Sequence, residues 1–355
     1  MVEQQGRPGD AIRRHLHGGT VELVSNDKGN GAAERKLLSR VYELAVRTRR
    51  LDERLWILAR QGAAGFVLTG RGHEVAQIAS AMALRPGFDY AWPYYRDMGV
   101  ALALGVTPQE ILLGALGRAD DPHTGGRQLP MHISDPERRI GSVSSAIAAH
   151  IPHAVGAAYA ARVQGAGWVS VCWFGEGATS EGVAHEGMNL AAIHRLPVVF
   201  VCENNGWAIS VPAARQIAGA NIAERASAYG MPGRRVDGGD AVAVFHATSA
   251  AVESARAGGG PALLELLVTR MTPHSSQDDD AYRTAAEKQS ALDADPVPRT
   301  RQRLFELGAL DAEADARLWQ LAEREMSLAA DKAKKSPAPS PERARRHLYR
   351  EGDEP

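Results

Sequence analysis

Three residues that could hold a cation fall within one stretch of the chain. Glu176 offers a carboxylate between Gly175 and Gly177, Asn205 offers an amide oxygen in an Asn204-Asn205 pair, and Trp207 offers a backbone carbonyl two residues on. Three oxygen donors facing one point suit a hard octahedral cation such as Mg²⁺. That ion normally completes its shell with phosphate oxygens and water. The flanking glycines let a diphosphate approach the backbone, and the N-terminus of a following helix would favour the anion. A lone Gly-x-Gly motif is weak. The central carboxylate and the second Asn-Asn tip make this one specific, against the plainer reading of two ordinary turns between strands and helices.

The elements needed to converge these groups are legible around them. Residues 168–174 and 197–202 are continuously apolar and read as strands, with a helix over 180–194 between them. Strand, turn, helix, strand is a βαβ unit, and unbroken apolar strands imply a parallel sheet covered on both faces. Both motifs then lie at the carboxyl ends of neighbouring strands, the edge where open α/β sheets bind ligands. Further strands are expected at 234–236 and 262–268, with a helix over 241–257 between them. Helices are expected at 34–60, 73–84, 104–117 and 152–164, and the chain is helical after Pro298 until about Lys335. Loops are expected at 62–72, 118–142 and 270–283, and a stretch as long as 118–142 is usually functional. The fold class is therefore α/β, a central mostly parallel sheet with helices on both faces. The expected divisions are a flexible arm over 1–33, a diphosphate-binding α/β domain over 34–300, and a helical C-terminal segment and tail over 301–355.

The chain has 355 residues with a formal net charge of -1, so no strong field points to nucleic acid or an anionic membrane. No apolar run is long enough to span a bilayer. The first residues lack a signal-peptide core, and Glu3 and Asp10 argue against a transit peptide. Cys172 and Cys202 sit inside apolar runs and read as buried reduced thiols. The expected location is cytoplasmic.

The run FGEGATSEGVAHEGMNLAAIHRLPVVFVCENNGWAIS resembles the thiamin diphosphate motif of the 2-oxo acid dehydrogenase alpha subunits. The resemblance extends from about Leu51 to Arg283. Glu176, where Asp is more usual, is similar to the branched-chain members. The resemblance implies a thiamin diphosphate-binding fold in which Glu176, Asn205 and the Trp207 carbonyl hold Mg²⁺. It implies cofactor contacts from Tyr95, Arg96, Ser145, Ile147, Gly175, Glu176, Gly177, Ala178, Asn205 and His274. It gives His274 a catalytic role and places Phe66 and Tyr95 in the substrate pocket. Ser275 matches a position phosphorylated in mitochondrial relatives. Ala146, Ala149 and His150 replace residues that build a K⁺ site in branched-chain members. Glu203 stands where those members can carry a phosphate-binding Arg, and in this it is similar to pyruvate and acetoin members.

The implied activity is oxidative decarboxylation of branched-chain 2-oxo acids, a step of branched-chain amino acid degradation, with acyl transfer to a lipoyl domain. The implied partners are a beta subunit carrying the pyrimidine-binding module, in a heterotetramer of two alpha and two beta chains, and a lipoyl acyltransferase. One diphosphate-type motif is present and no second module of similar size, so this chain alone is expected to be inactive. Alternatives are the alpha subunit of a pyruvate or acetoin dehydrogenase, a split transketolase-type transferase, or a non-enzymatic scaffold.

Overall fold

The computed structural model describes residues 30–346. Most of the expected N-terminal arm, residues 1–29, and the end of the expected tail, 347–355, lie outside the described residues. In chain order the strands are β1 (Tyr90–Trp92), β2 (Ser170–Gly175), β3 (Val198–Asn204), β4 (Trp207–Ala208), β5 (Val211–Pro212), β6 (Gly233–Asp237) and β7 (Ala262–Leu267). Five of them form one sheet in the order β1-β2-β3-β7-β6. Every neighbouring pair in it is parallel, while β4 and β5 make a separate antiparallel ribbon.

Side-chain alternation along β2 and β3 explains why these strands are apolar throughout. Val171, Trp173, Val199 and Val201 enter one buried layer, and Cys172, Phe174, Phe200 and Cys202 enter the other. The first layer is closed by α1 (Asn30–Arg60), α2 (Glu74–Ala81), α3 (Met98–Ala103) and α4 (Pro108–Ala115). The second is closed by α5 (His150–Gln164) and α6 (Gly182–Ile193). Helix α7 (Ala241–Arg256) packs directly on β3, β6 and β7 in the first layer, and α8 (Ala285–Asp293), α9 (Pro296–Glu306) and α10 (Ala312–Lys335) follow. Each fully buried Val, Leu or Phe contributes roughly 1.5–3 kcal/mol, so the double layer is what holds the strand tips in register. Trp173 adds a directional tie, donating from Nε1 to Ser80 Oγ of α2 at 2.9 Å. Both cysteines are free and buried.

Several boundaries differ from those expected. The first helix starts at Asn30 rather than 34. The helix expected over 104–117 is the shorter α4, because Gly105 adopts φ +96° and Thr107 caps the helix that Pro108 opens, while α3 lies before the expected range. A 3₁₀ turn, Glu176–Ser180, separates β2 from α6, so the backbone next to Glu176 is a 3₁₀ turn and not the first turn of the α-helix. The helical stretch after Pro298 divides at Gly308, which has φ +61°, and α9 runs across the expected boundary at 300. No helix among the described residues is long and apolar enough to cross a membrane.

Candidate functional site

The register aligns the two motif-bearing strand tips, with Gly175 opposite Glu203 and Asn204 opposite Leu267. Glu176 and Asn205 therefore emerge side by side at the carboxyl edge of the sheet. Glu176 is 1% exposed. Its Oε2 accepts the Asn205 backbone N–H at 3.2 Å, while Oε1 is buried with no hydrogen-bond partner. Burial pushes the Glu176 carboxyl above the usual range, opposed by backbone N–H groups and by the charges of His73 and Arg270. A buried carboxylate oxygen without a donor fits a cation ligand, because a bound cation would replace the missing partner.

Asn205 is oriented on both sides. Its Oδ1 accepts the Trp207 backbone N–H at 3.0 Å, and its Nδ2 faces His73 Nε2 at 3.5 Å. Trp207 begins the β4–β5 ribbon, and Gly177 lies so close to it that a Cβ there would stand 3.0 Å from the Ala208 Cβ. Ala178 is buried beside them. Among the described residues no group of three His, Cys, Asp or Glu side chains could hold a metal. A metal at this edge would take amide and carbonyl oxygens beside the Glu176 carboxylate.

Glu203 turns under the sheet. Its Oε2 meets His73 Nδ1 at 2.7 Å, Gln77 Nε2 at 3.0 Å and the Tyr94 hydroxyl at 3.3 Å. Burial, and then the neighbouring Glu203 carboxylate, raises Asp97 well above the carboxylate range. This polar cluster spans distant sequence and was not anticipated.

A second group closes over the same edge. Arg96 is 3% exposed; its Nη1 donates to the Thr69 carbonyl at 2.6 Å and its Nη2 to His274 Nδ1 at 3.2 Å. An arginine can only donate, so Nδ1 accepts and the remaining proton of His274 sits on Nε2. Burial, then the Arg96 and Arg270 cations, lowers His274 to about 4. The ring is thus a neutral hydrogen-bond donor at neutral pH and not a cationic acid. Tyr95 stacks edge-on to His274 with centroids 6.3 Å apart and lies against the Arg96 guanidinium at 5.4 Å. The loop carrying His274 is anchored to the loop at 62–72 through a Leu68–Ser275 bridge and a Ser276 N–H to Val67 carbonyl bond of 2.9 Å. This pairing brings Phe66 towards the same region. Phe66 is half-buried and belongs to neither core layer.

Ser145 and Ile147 are not drawn into these contacts. The Ser145 hydroxyl donates to His132 Nε2, whose Nδ1 is turned to the Pro130 carbonyl. Ile147 is 41% exposed, next to Ala148 in the left-handed region with φ 65°, a conformation that costs of order 1–3 kcal/mol for a residue with a side chain. Arg270 is the residue that sequence reading passed over: it is 2% exposed, carries no ion pair among the described residues, and leaves Nε and Nη1 without partners. Its only signal was position, three residues beyond the tip of β7.

The carboxyl edge of the parallel sheet thus gathers a partnerless carboxylate oxygen, an oriented amide and two buried arginines without an ion pair among the described residues. Residues 42–342 match the family described as Dehydrogenase E1 component, and the chain belongs to that family. The E1 dehydrogenases are thiamin diphosphate-dependent. The chain is 42% identical over 310 residues to the 2-oxoisovalerate dehydrogenase subunit alpha of Bacillus subtilis, covering 87% of this chain and 94% of that one. It is 39% identical over 297 residues to a 3-methyl-2-oxobutanoate dehydrogenase subunit alpha of Mycobacterium tuberculosis, covering 81% and 78%. It is 37% identical over 314 residues to the human mitochondrial 2-oxoisovalerate dehydrogenase subunit alpha, covering 88% and 70%.

Proposed function

We propose that this chain is the alpha subunit of a branched-chain 2-oxo acid dehydrogenase and binds thiamin diphosphate through Mg²⁺. The observation that carries the reading is the partnerless buried oxygen of Glu176 next to Asn205, at paired strand tips, with Arg96 and Arg270 nearby, neither in an ion pair among the described residues. The names of the relatives, all for 2-oxoisovalerate or 3-methyl-2-oxobutanoate, favour the branched-chain substrate over pyruvate or acetoin.

In this reading Glu176, Asn205 and the Trp207 carbonyl hold Mg²⁺. Arg96 and the Nε2–H of His274 face the phosphate groups and the reacting centre, with Tyr95, Ser145, Ile147, Gly175, Gly177 and Ala178 lining the cofactor. Phe66 and Tyr95 give the substrate an apolar wall. Bound thiamin diphosphate supplies the carbon nucleophile and the electron sink for loss of CO₂. The protein's part is orientation and charge: His274 donates a hydrogen bond from a neutral ring. A beta subunit is to supply the group that activates the aminopyrimidine, and a lipoyl acyltransferase is to accept the acyl group.

The test is turnover of the chain reconstituted with its beta subunit on 2-oxoisovalerate, pyruvate and acetoin, with acylation of a lipoyl domain as readout. Preferred use of 2-oxoisovalerate supports the proposal. Cofactor binding with no acylation would favour a transketolase-type transferase, and no Mg²⁺-dependent binding at all would leave a scaffold.

A further inference from the structure

Arg270 is the most unusual buried charge among the described residues. It sits in the loop just beyond β7, at the same sheet edge as Glu176 and Asn205. Of the described arginines, it alone leaves two guanidinium nitrogens, Nε and Nη1, buried without partners. Its one hydrogen bond runs from Nη2 to the Tyr282 hydroxyl at 2.8 Å, and that hydroxyl in turn donates to Asp278 at 2.6 Å. Tyr282 packs against Trp207 with ring centroids 5.7 Å apart, which ties Arg270 to the tip bearing the candidate metal donors.

A buried guanidinium with no carboxylate partner is costly, and the Tyr282 ring at 5.7 Å and the more distant Asp278 and Asp280 offset that cost only in part. Here the cost is aggravated. Burial pushes Arg270 below the ordinary arginine range, and the Arg96 and Arg283 cations push the same way. Arg283 is already matched by Asp280 at 2.6 Å, whereas Arg96 and Arg270 have no ion pair among the described residues. Two unpaired cations and a neutral histidine around one space call for an anion.

The nearest acid does not meet this need. Asp278 already accepts the His274 and Asp280 backbone N–H groups and the Tyr282 hydroxyl, and it makes no ion pair with Arg270 among the described residues. Glu203 cannot help, since it is an acid turned away towards His73 and Gln77.

We propose that Arg270 is a diphosphate-binding residue, its two free guanidinium N–H groups being the donors for the terminal phosphate. This rests on the cofactor reading above and adds to it a residue and a selectivity: Arg270 distinguishes a diphosphate from a monophosphate. It also makes Arg270 a residue kept for the ligand at the expense of the empty fold.

The experiment uses the chain reconstituted with its beta subunit, titrated calorimetrically with thiamin diphosphate and thiamin monophosphate in Mg²⁺. Arg270→Met is expected to weaken the diphosphate about tenfold to a hundredfold, the range for a hydrogen bond to a charged group, and to leave the monophosphate within about twofold. The cofactor-free complex is expected to melt no lower than wild type. Arg270→Gln, which can still donate to Tyr282, should give the same split between the two ligands. Unchanged diphosphate affinity, or equal loss for both ligands with a lowered melting temperature, overturns the proposal and makes Arg270 a loop anchor. Glu176→Ala is the control for the parent reading. If it binds the cofactor like wild type, the metal assignment fails; if it loses binding while Arg270→Met does not, only the present inference fails.

Discussion

Replacing Glu176 by glutamine separates what this residue does for the fold from what it does for the ligand. The side chain is 1% exposed, with one oxygen bonded to the Asn205 N–H and the other without a partner. Glutamine keeps an acceptor for Asn205 but places an amide where no acceptor waits, which costs about 1–3 kcal/mol. Against this it removes a carboxylate whose ionisation burial disfavours. The two effects oppose one another, so the ligand-free protein should change by about 1 kcal/mol or less, about a degree in melting temperature. Ligand-linked stability behaves differently. At a hundredfold excess over Kd, wild type should gain about 2.7 kcal/mol, or about 4 °C at most, and the variant close to nothing. Differential scanning calorimetry of the reconstituted complex, with and without thiamin diphosphate and Mg²⁺, reads both numbers. A variant with the full wild-type gain would refute the metal role, and a variant that melts far lower without ligand would make Glu176 a structural residue.

Other outcomes follow from the same geometry. Burial lowers His150 to about 4, partly offset by its Nε2–H bond of 2.7 Å to the Trp173 carbonyl. The unfolded chain therefore takes up this proton first, and stability falls as pH drops from about 6.5 to about 4. His150→Gln should remove about 3 kcal/mol of the acid sensitivity, as read from denaturant melts of both proteins at pH 7 and pH 4; parallel curves would contradict it. Gly72 has φ +94°, and a Cβ there would lie 2.0 Å from the Thr269 carbonyl. Gly72→Ala should thus cost about 3 kcal/mol or more and loosen the His274 loop, seen as faster proteolysis near Ser275. Phe66→Ala should lower the preference for 2-oxoisovalerate over pyruvate roughly tenfold while leaving cofactor affinity and melting temperature near wild type, and an unchanged kcat/KM ratio would remove Phe66 from the pocket.

What could be read in advance followed the range of the interactions involved. The unit from β2 to β3 was legible because unbroken apolar strands, a glycine turn and a crossover of fitting length are local signals. That both motifs sit at the carboxyl ends of neighbouring parallel strands could be read from that unit alone, whereas the register of Gly175 with Glu203 could not. The strand β1 escaped notice because Tyr90–Trp92 is three residues long and gains its partners from Ser170–Cys172, eighty positions away. Helix α3 was not legible because Met98–Ala103 is only six residues long. At the site, Glu176 and Asn205 carried their meaning in residue type. His73, Gln77 and Glu203 did not, since their hydrogen bonds join positions more than a hundred residues apart. Arg270 looked like one charge in a polar loop, and only its burial without a partner sets it apart.

The central claim is that two strand tips converge on one divalent ion. It is tested most directly by diffraction from the reconstituted complex with Mn²⁺ in place of Mg²⁺ and thiamin diphosphate bound. An anomalous peak about 2.1 Å from a Glu176 carboxylate oxygen and from Asn205 Oδ1 is the predicted result. A peak elsewhere, with Glu176 Oε1 still facing no ligand, would contradict the account.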